Sequence, residues 1–423
     1  MAAGEFIVTG LDYRTEKPIA VEVRDGIISN IDQEPNANSH HSLWIAPGLV
    51  DLQVNGFQGI DFNTLPISIE SIHQITKRLW REGVTTYLPT VITNSSDTIE
   101  EILSVLGAAI EESNLASNLD SGLATDLASG TIAGIHLEGP FISSLDGPRG
   151  AHASTYVQAP DWNLFERWQT AARGHIRLLT LSPEWLNAVP FIRQCVEHGV
   201  KVSIGHTAAN SKQIAAAVAA GATFSTHLGN GAHPILPRHP NYIWDQLAAD
   251  ELWAGMIADG YHLPPAVLKV ISKVKGAHTI LVSDCVDLAG LEPGSYETHV
   301  GGRVVLTEEG KLHLADNPNL LAGSVRSLPH GVSTLVREGI CSLQEAWDMA
   351  STHPATFLGL PASPGLPSSQ GSPASHGLAV GNPADIVLFQ KVKTEIQVVQ
   401  TIKSGVVVFD AFHEARKGEA AHE

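Results

Sequence analysis

Short apolar runs that end in glycine or a polar residue recur through the middle of the chain. Their length and composition are typical of buried parallel strands, which we predict at residues 49–55, 85–90, 132–138, 176–182, 201–205, 223–227, 253–259 and 279–284. Helical segments with an apolar period near 3.6 separate several of these runs, for example at 68–82 and 211–220. Because eight alternating strands and helices close a barrel, the pattern predicts an α/β fold, a (β/α)8 TIM-like barrel.

Both ends of the chain carry a different pattern, which is rich in β-forming residues. These residues cluster at 6–8, 19–23 and 27–31, and again at 385–389, 396–399 and 406–409. Two β-rich ends around an α/β middle indicate that the termini meet. We therefore expect a small β-sandwich domain formed by both termini.

The change from one pattern to the other gives the expected domain boundaries. Residues 1–46 form the first part of the β-sandwich, and 377–423 form the second part. The barrel spans 47–360 and contains a β-hairpin insertion at about 290–315. Residues 361–376 are rich in proline, serine and glycine, which predicts a flexible linker between the barrel and the second β-rich part.

Composition narrows the classes of partner. The 423 residues include 26 basic and 44 acidic residues, giving a formal net charge of −18, so we expect neither nucleic acid nor an acidic membrane as a partner. The cysteines Cys195, Cys285 and Cys341 are too widely spaced to indicate a disulfide framework. Without an apolar run of about 18 residues or a signal-peptide pattern, we expect a cytoplasmic protein.

Four predicted strands end in a residue that can bind a metal or transfer a proton: Glu138, His206, His227 and Asp284. Each alone has an ordinary explanation, such as a solvated carboxylate or a hydrogen-bonded core histidine. In a β/α barrel, however, the carboxyl ends of the strands surround the active site. Glu138, His206 and His227 would then supply three ligands and leave one position open, as catalytic zinc sites require. Two imidazoles and a carboxylate suit one divalent metal ion, Zn²⁺ or Fe²⁺.

The remaining candidates surround this group. Asp284 could take a proton from an attacking water and pass it to a leaving amine, although it could instead cap the following turn. His152 lies in a glycine-rich loop and could contact a substrate carbonyl or hydroxyl. Arg238 and His262 are candidate anion-binding residues, and Ser324 lies in a loop of small residues that a ligand could approach closely.

Together these segments resemble the N-acetylglucosamine-6-phosphate deacetylases of the amidohydrolase superfamily. The matching segments follow one another in the family's order: Ala46 to Gly56, His136 to Pro140, Gly150 to His152, Gly205 to Thr207, Thr226 to Gly231, Ile257 to His262, Val282 to Asp284, Leu321 to Ser324 and Gly377 to Asp385. Any one of them alone would be a weak signal, whereas the whole set is specific.

The resemblance implies a role for each candidate. Glu138, His206 and His227 would hold one divalent metal ion, with zinc expected and iron or another divalent ion as the alternative. Asp284 would be the acid/base, and His152 would orient the acetamide. The family also implies a homodimer and an amino-sugar phosphate as the substrate. Arg238 and His262 would hold its 6-phosphate, and Asn230 and Gly231 would line the same pocket.

The chain departs from the wider superfamily at the first strand, where Gln53-Val54-Asn55 replaces a His-x-His metal pair. The fourth predicted strand also contains no lysine, so a single-metal site is expected, and Gln53 and Asn55 become candidate substrate contacts. One subset of these deacetylases has the same Gln-x-Asn pattern.

Two further departures concern the substrate. The segments 239–244 and Cys285-Val286-Asp287 differ from the family's usual residues. A same-fold deacetylase of N-acetylgalactosamine 6-phosphate or of an unphosphorylated N-acyl compound therefore stays open. A non-catalytic binding protein is the remote alternative.

Overall fold

The computed structural model describes residues 5–33, 43–116, 129–360 and 376–413. The predicted linker lies outside this part of the chain, apart from its last residue, His376. The strands follow in chain order: β1 Phe6–Asp12, β2 Pro18–Arg24, β3 Ile27–Gln33, β4 Trp44–Pro47, β5 Leu49–Val54, β6 Gly56–Phe57, β7 Ile60–Asp61, β8 Val84–Ile92, β9 Ile135–Glu138, β10 Ile176–Leu181, β11 Lys201–Ile204, β12 Ala222–Ser225, β13 Trp253–Met256, β14 Thr279–Leu281, β15 Gly294–Thr298, β16 Gly302–Leu306, β17 Leu312–Leu314, β18 Asn317–Leu321, β19 Ile386–Val392, β20 Glu395–Lys403 and β21 Val406–Asp410.

The α-helices alternate with the strands through the middle of the chain. They are α1 Ile69–Arg81, α2 Ser96–Ala116, α3 Trp162–Ala171, α4 Ala188–Glu197, α5 Ser211–Ala219, α6 Tyr242–Ala248, α7 Pro265–Lys275, α8 Leu328–Arg337, α9 Leu343–Met349 and α10 Thr352–Leu358. Several begin with a side-chain cap, as in α5, where Asn210 and Gln213 form a reciprocal capping box. Within the described ranges, no helix is both long and apolar enough to cross a membrane.

Eight parallel strands form the barrel sheet, in the order β5, β8, β9, β10, β11, β12, β13 and β14. The first and last strands approach each other beyond the end of β14, where Asp284 N–H donates to Gln53 O at 3.0 Å. The N–H of Asn55 donates to Cys285 O at 2.9 Å in the same seam. The predicted (β/α)8 barrel is thereby confirmed, and its short strands are buried because helices cover the sheet.

Strands from both termini form a second sheet, the terminal sheet, in the order β21, β20, β19, β4, β1, β2 and β3. Strand β4 joins the two halves, because Trp44–Pro47 pairs antiparallel with residues 386–389. The turn between β2 and β3 also contacts the segment before β19, since Ala384 N–H donates to Gly26 O at 2.8 Å. The expected β-domain from both termini is therefore confirmed as one seven-stranded sheet.

The insertion after β14 is larger than the predicted hairpin. It is a four-stranded antiparallel meander, β15 to β18, which we call the cover sheet. Its last strand, Asn317–Leu321, is mostly exposed and contains Pro318, so it lacks the apolar alternation that would have revealed it. The cover sheet packs on its own apolar cluster, formed by Leu288, Val304, Leu306, Leu312 and Ala322.

Candidate metal centre and active site

The ends of four barrel strands, β9, β11, β12 and β14, supply the central side chains. Glu138 is the last residue of β9, whereas His206, His227 and Asp284 each follow a strand by two or three residues. These three have positive φ angles of 49°, 27° and 49°, respectively. The left-handed backbone turns the chain sharply at each strand end, and all four side chains line the same cavity.

The side chains of Glu138, His206 and His227 converge on one point. Glu138 Oε1 lies 3.2 Å from His206 Nε2 and 3.1 Å from His227 Nε2, and the two ring nitrogens are 3.1 Å apart. All three residues are buried. Two imidazole nitrogens directed at each other and at one carboxylate oxygen form the donor set of a divalent transition metal, so the residues fit such an ion.

The charges of this group depend on one another. Burial alone would raise the pKa of Glu138, but hydrogen bonds with His206 and His227 hold it well below its ordinary value. Burial alone would lower the pKa of His227, but contact with Glu138 raises it instead. The carboxylate therefore stays ionised, as a metal ligand must.

Residues behind two of the ligands, Glu138 and His206, hold them in place. Gln53 Nε2 donates to Glu138 Oε2 at 3.0 Å, which leaves Oε1 facing the histidines. His206 Nδ1 pairs with Pro148 O at 2.8 Å and therefore carries the proton, so Nε2 is the free ligand atom. Gly231 lies against the same ring, because a Cβ atom there would be 2.7 Å from His206 Nδ1.

His136 lies on the same strand as Glu138 but cannot be a ligand. Its Nδ1 pairs with Leu52 O at 3.1 Å and its Nε2 pairs with Thr180 Oγ1 at 2.7 Å. Burial lowers its pKa to about 4, so the ring is neutral. It is a hydrogen-bonded core histidine between neighbouring strands.

Asp284 faces the metal centre from the end of β14. Asn55 Nδ2 donates to its Oδ1 at 2.7 Å. Burial raises the pKa of Asp284 to about 6, His227 opposes this shift and Glu138 adds to it. A bound cation would favour the ionised form, which is the form that can accept a proton.

The ring of His152 packs edge-on against the ring of His206, with ring centroids 4.4 Å apart. Its Nδ1 pairs with Thr93 Oγ1 at 2.8 Å. Burial, followed by the charge of His206, lowers the pKa of His152 to about 3. The ring is therefore neutral at pH 7 and can offer its remaining nitrogen to a ligand as a hydrogen-bond donor.

A cavity of about 680 Å³ separates the barrel mouth from the cover sheet. On the barrel side it is lined by the metal centre, Asp284, Asn55 and His152. The cover sheet contributes residues 298–301 and 312–323, which include several leucines. The volume lies within the range of pockets that enclose small-molecule ligands.

The other predicted residues fall into three groups. Asn230, Gly231 and His262 line the cavity, and His262 Nδ1 pairs with Asp259 Oδ2 at 2.7 Å. Gln53 and Ser324 are buried behind the cavity wall rather than on it. Arg238 is exposed in the loop between β12 and α6, away from the cavity of its own chain.

Some residues at the cavity were not among the sequence candidates. Arg149, Asp61 and His299 line the cavity, and Thr93 lies behind His152. Thr93, which holds His152, directly follows β8, and its position at a strand end could have identified it. Arg149 Nη1 donates to His152 O at 2.6 Å, and the guanidinium also pairs with Asp146. His299 reaches from the cover sheet to Asp61, with Nδ1 3.1 Å from Oδ2. No local sequence pattern predicts that contact, because it joins an insertion to a segment far away in the sequence.

The chain is similar in sequence to known proteins of one family. The sequence profile of the amidohydrolase family matches residues 44–408. N-acetylglucosamine-6-phosphate deacetylase of Bacillus subtilis is 31% identical over 399 residues, 92% of each chain. The human protein of that name is 30% identical, over 87% of this chain and 84% of its own.

Solved structures give the same result. The chain is similar to N-acetyl-D-glucosamine-6-phosphate deacetylase of Mycobacterium smegmatis in complex with N-acetyl-D-glucosamine-6-phosphate, with a TM-score of 0.78, 25% identity and coverage of 96% of this chain and 99% of that one. The Thermotoga maritima enzyme gives a TM-score of 0.77 at 26% identity, over 96% and 100% of the two chains. The match to the family profile covers most of the chain, and the chain therefore belongs to the amidohydrolase family.

Proposed function

We propose that this protein is a metal-dependent deacetylase that hydrolyses N-acetylglucosamine 6-phosphate to glucosamine 6-phosphate and acetate. Two full-length relatives with this name are 31% and 30% identical to it. The observation that carries the proposal is the meeting of Glu138, His206 and His227 with Asp284 at one cavity wall. Metal ligands beside a free carboxylate are the parts that amide hydrolysis requires.

Glu138, His206 and His227 would hold one divalent ion. We propose zinc first, because two imidazoles and one carboxylate with an open position are typical of catalytic zinc sites, and iron second. Such an ion supplies Lewis acidity, which favours attack of water on a carbonyl group at neutral pH.

The remaining steps belong to the chain's own residues. Asp284 accepts a proton from the attacking water and then delivers it to the amine nitrogen as the C–N bond breaks. Asn55 holds the carboxylate in position through its 2.7 Å hydrogen bond. His152, which is neutral and fixed by Thr93, donates a hydrogen bond to the carbonyl oxygen as negative charge develops there.

The polar residues at the other part of the cavity are the proposed contacts for the phosphate. Asn230 offers its side-chain amide and Gly231 its backbone N–H, and His262 is oriented by Asp259. Arg238 stays a proposed anion-binding residue, although it lies outside the cavity of its own chain.

One observation favours a second candidate, a deacetylase of an unphosphorylated N-acyl sugar. Among the described residues that line the cavity, Arg149 is the only arginine or lysine, and it already pairs with Asp146. A dianionic phosphate would thus depend on His262 and on backbone groups. The same metal chemistry would serve either substrate.

Acetate release from N-acetylglucosamine 6-phosphate, N-acetylgalactosamine 6-phosphate and N-acetylglucosamine, measured on one metal-analysed sample, tests the proposal. We expect turnover of the first compound with about one metal ion per chain. Turnover of only the unphosphorylated sugar would replace the proposal with the second candidate. Absence of turnover of all three, with metal bound, would overturn both.

We also propose a cytoplasmic homodimer. Exposed apolar side chains near Arg238, namely Ile235 and Trp244, support a contact between copies. The three cysteines are free, as expected in a reducing compartment. Sedimentation analysis of the wild type and of Trp244→Ser tests the dimer, because a monomer in both would contradict it.

A further inference from the structure

The amide oxygen of Asn55, a residue in the cavity wall, has no hydrogen-bond partner in the described part of the chain. Asn55 follows β5 directly, and its Nδ2 donates to Asp284 Oδ1. Because a carboxylate oxygen can only accept, this contact fixes which side-chain atom of Asn55 is nitrogen. The other atom, Oδ1, is buried and accepts no hydrogen bond from any described residue. Leaving a buried amide oxygen without a donor costs about 1–3 kcal/mol.

Two neighbouring amides show why Asn55 differs. Gln53 also has an unpaired oxygen, but Gln53 is 1% exposed and does not line the cavity. Asn63 does line the cavity, but its Oδ1 accepts from Ile92 N–H at 2.8 Å and its Nδ2 donates to Thr90 O at 3.0 Å. Of these three side chains, Asn55 alone offers a free acceptor to a ligand.

We propose that Asn55 Oδ1 accepts the N–H of the substrate's amide group and so places the amide nitrogen beside Asp284. The inference rests on the proposed deacetylase function and deepens it. A secondary amide has one N–H donor, and its carbonyl oxygen is directed to the metal centre and His152. The nitrogen must also lie within reach of Asp284 to receive a proton as the bond breaks. One asparagine thereby orients both the proton donor and the atom that is protonated.

This arrangement predicts selection by chemical class. A secondary amide satisfies the buried oxygen of Asn55, whereas an ester of the same shape has no N–H and leaves it unpaired. The site should therefore favour N-acyl over O-acyl substrates by a larger factor in kcat/KM than the difference between amine and alcohol leaving groups explains.

The test compares two substrates in three proteins. Initial kcat/KM values are measured for N-acetylglucosamine 6-phosphate and for 2-O-acetylglucose 6-phosphate with the wild type, Asn55→Ala and Asn63→Ala. We expect Asn55→Ala to slow the amide at least about tenfold more than the ester, because only the amide loses a hydrogen bond. Asn63→Ala is the matched control, and it should change both values by the same factor.

Equal losses for both substrates in Asn55→Ala would overturn the inference, because the residue would then act only through Asp284. Metal content and thermal unfolding are measured for every variant, and Asn55→Ser replaces Asn55→Ala if the latter does not fold. If the wild type releases acetate from neither compound, the proposed function fails and the inference fails with it. If the wild type is active and Asn55→Ala lowers kcat/KM for the amide and for the ester by the same factor, the inference alone fails.

Discussion

At the scale of single residues, the reaction centre is built before a substrate arrives. His206, His227 and Asp284 all hold left-handed backbone conformations, which cost of order 1–3 kcal/mol each outside glycine. Contacts to Pro148 and Asn55 fix two of the three side chains. The stability of the surrounding barrel thus maintains a geometry that these residues would not adopt alone.

Asp284→Asn tests the proposed acid/base. Asparagine keeps the size and the contact with Asn55 but cannot accept the proton of water, so we expect kcat to fall by roughly 10²–10⁴-fold. Metal content, measured by atomic absorption, should be unchanged. The control Asp287→Asn removes a carboxylate from the same cavity and should lose much less activity. Near-normal turnover of Asp284→Asn would contradict the assignment.

Asp51 provides a prediction about pH and stability. It is fully buried in the barrel seam, where its Oδ1 accepts from the N–H groups of Gln53 and Ser283. Burial raises its pKa from 3.8 to about 7. Between these values the folded state keeps a proton that the unfolded state releases, so this group lowers the free energy of unfolding as pH rises from about 4 to about 7.

The full effect is on the order of 4 kcal/mol above pH 7. We therefore expect Asp51→Asn to gain stability relative to the wild type at pH 8 and to show no such gain at pH 4. Urea unfolding at the two pH values measures the difference, with the exposed Asp316→Asn as the control. The same gain in unfolding free energy at both pH values would show that the raised pKa of Asp51 is not its cause.

At the scale of elements, the strands of the barrel could be predicted because they are buried on both faces. Such strands are short apolar runs, and eight of them were found in the right order. Their ends were less predictable. Strands β13 and β14 end at Met256 and Leu281, before the predicted residues 259 and 284. Beyond these ends the chain makes isolated backbone contacts, such as Asp284 N–H to Gln53 O, instead of a continuous ladder.

The candidate site could be predicted as far as strand ends determine it. The metal ligands and Asp284 each end or closely follow a strand, so the topology alone brings them together. Residues carried by loops could not be placed in this way. Arg238 is exposed outside the cavity, and His299 enters it from the cover sheet, because loop paths depend on packing that a local pattern does not contain.

The cover sheet has its own small apolar core, so we expect it to unfold locally while the barrel stays folded. Leu306 is buried in that core, and Leu306→Ala should accelerate amide hydrogen exchange in β15 to β18 while the barrel strands stay protected. KM should rise, because the sheet forms one wall of the cavity. Leu320→Ala, at an exposed position of the same sheet, is the control for exchange. Faster exchange throughout the barrel would contradict the separation of the two cores.

At the scale of the whole molecule, the terminal sheet is attached to the barrel through a buried charge. Lys403 Nζ lies 2.7 Å from Asp385 Oδ2 and 3.2 Å from Thr86 Oγ1, which belongs to β8. Asp385 Oδ1 also accepts from Ser404 N–H at 2.7 Å. One ammonium group therefore joins β20, the segment before β19 and strand β8 of the barrel.

Lys403→Met should destabilise the protein by about 1.5–3 kcal/mol, because it removes hydrogen bonds to a charged group in a largely buried place. Denaturant unfolding measures this change. Arg24→Met is the matched control, because Arg24 and Glu5 form an ion pair of the same 2.7 Å length in the same domain but are both exposed. We expect that control to be nearly neutral. Equal effects of the two changes would show that burial of the pair is unimportant.

The order of strands in the terminal sheet also governs how the chain is completed during synthesis. Strand β4 is made early, but its neighbour β19 is among the last segments to leave the ribosome. Until then, one edge of β4 keeps unpaired backbone groups that can pair with another chain. The barrel can form while the terminal sheet still lacks β19, β20 and β21. Chains that end prematurely would therefore combine a folded barrel with an exposed strand edge that can pair with other chains. Full-length translation is thus a condition for solubility as well as for stability.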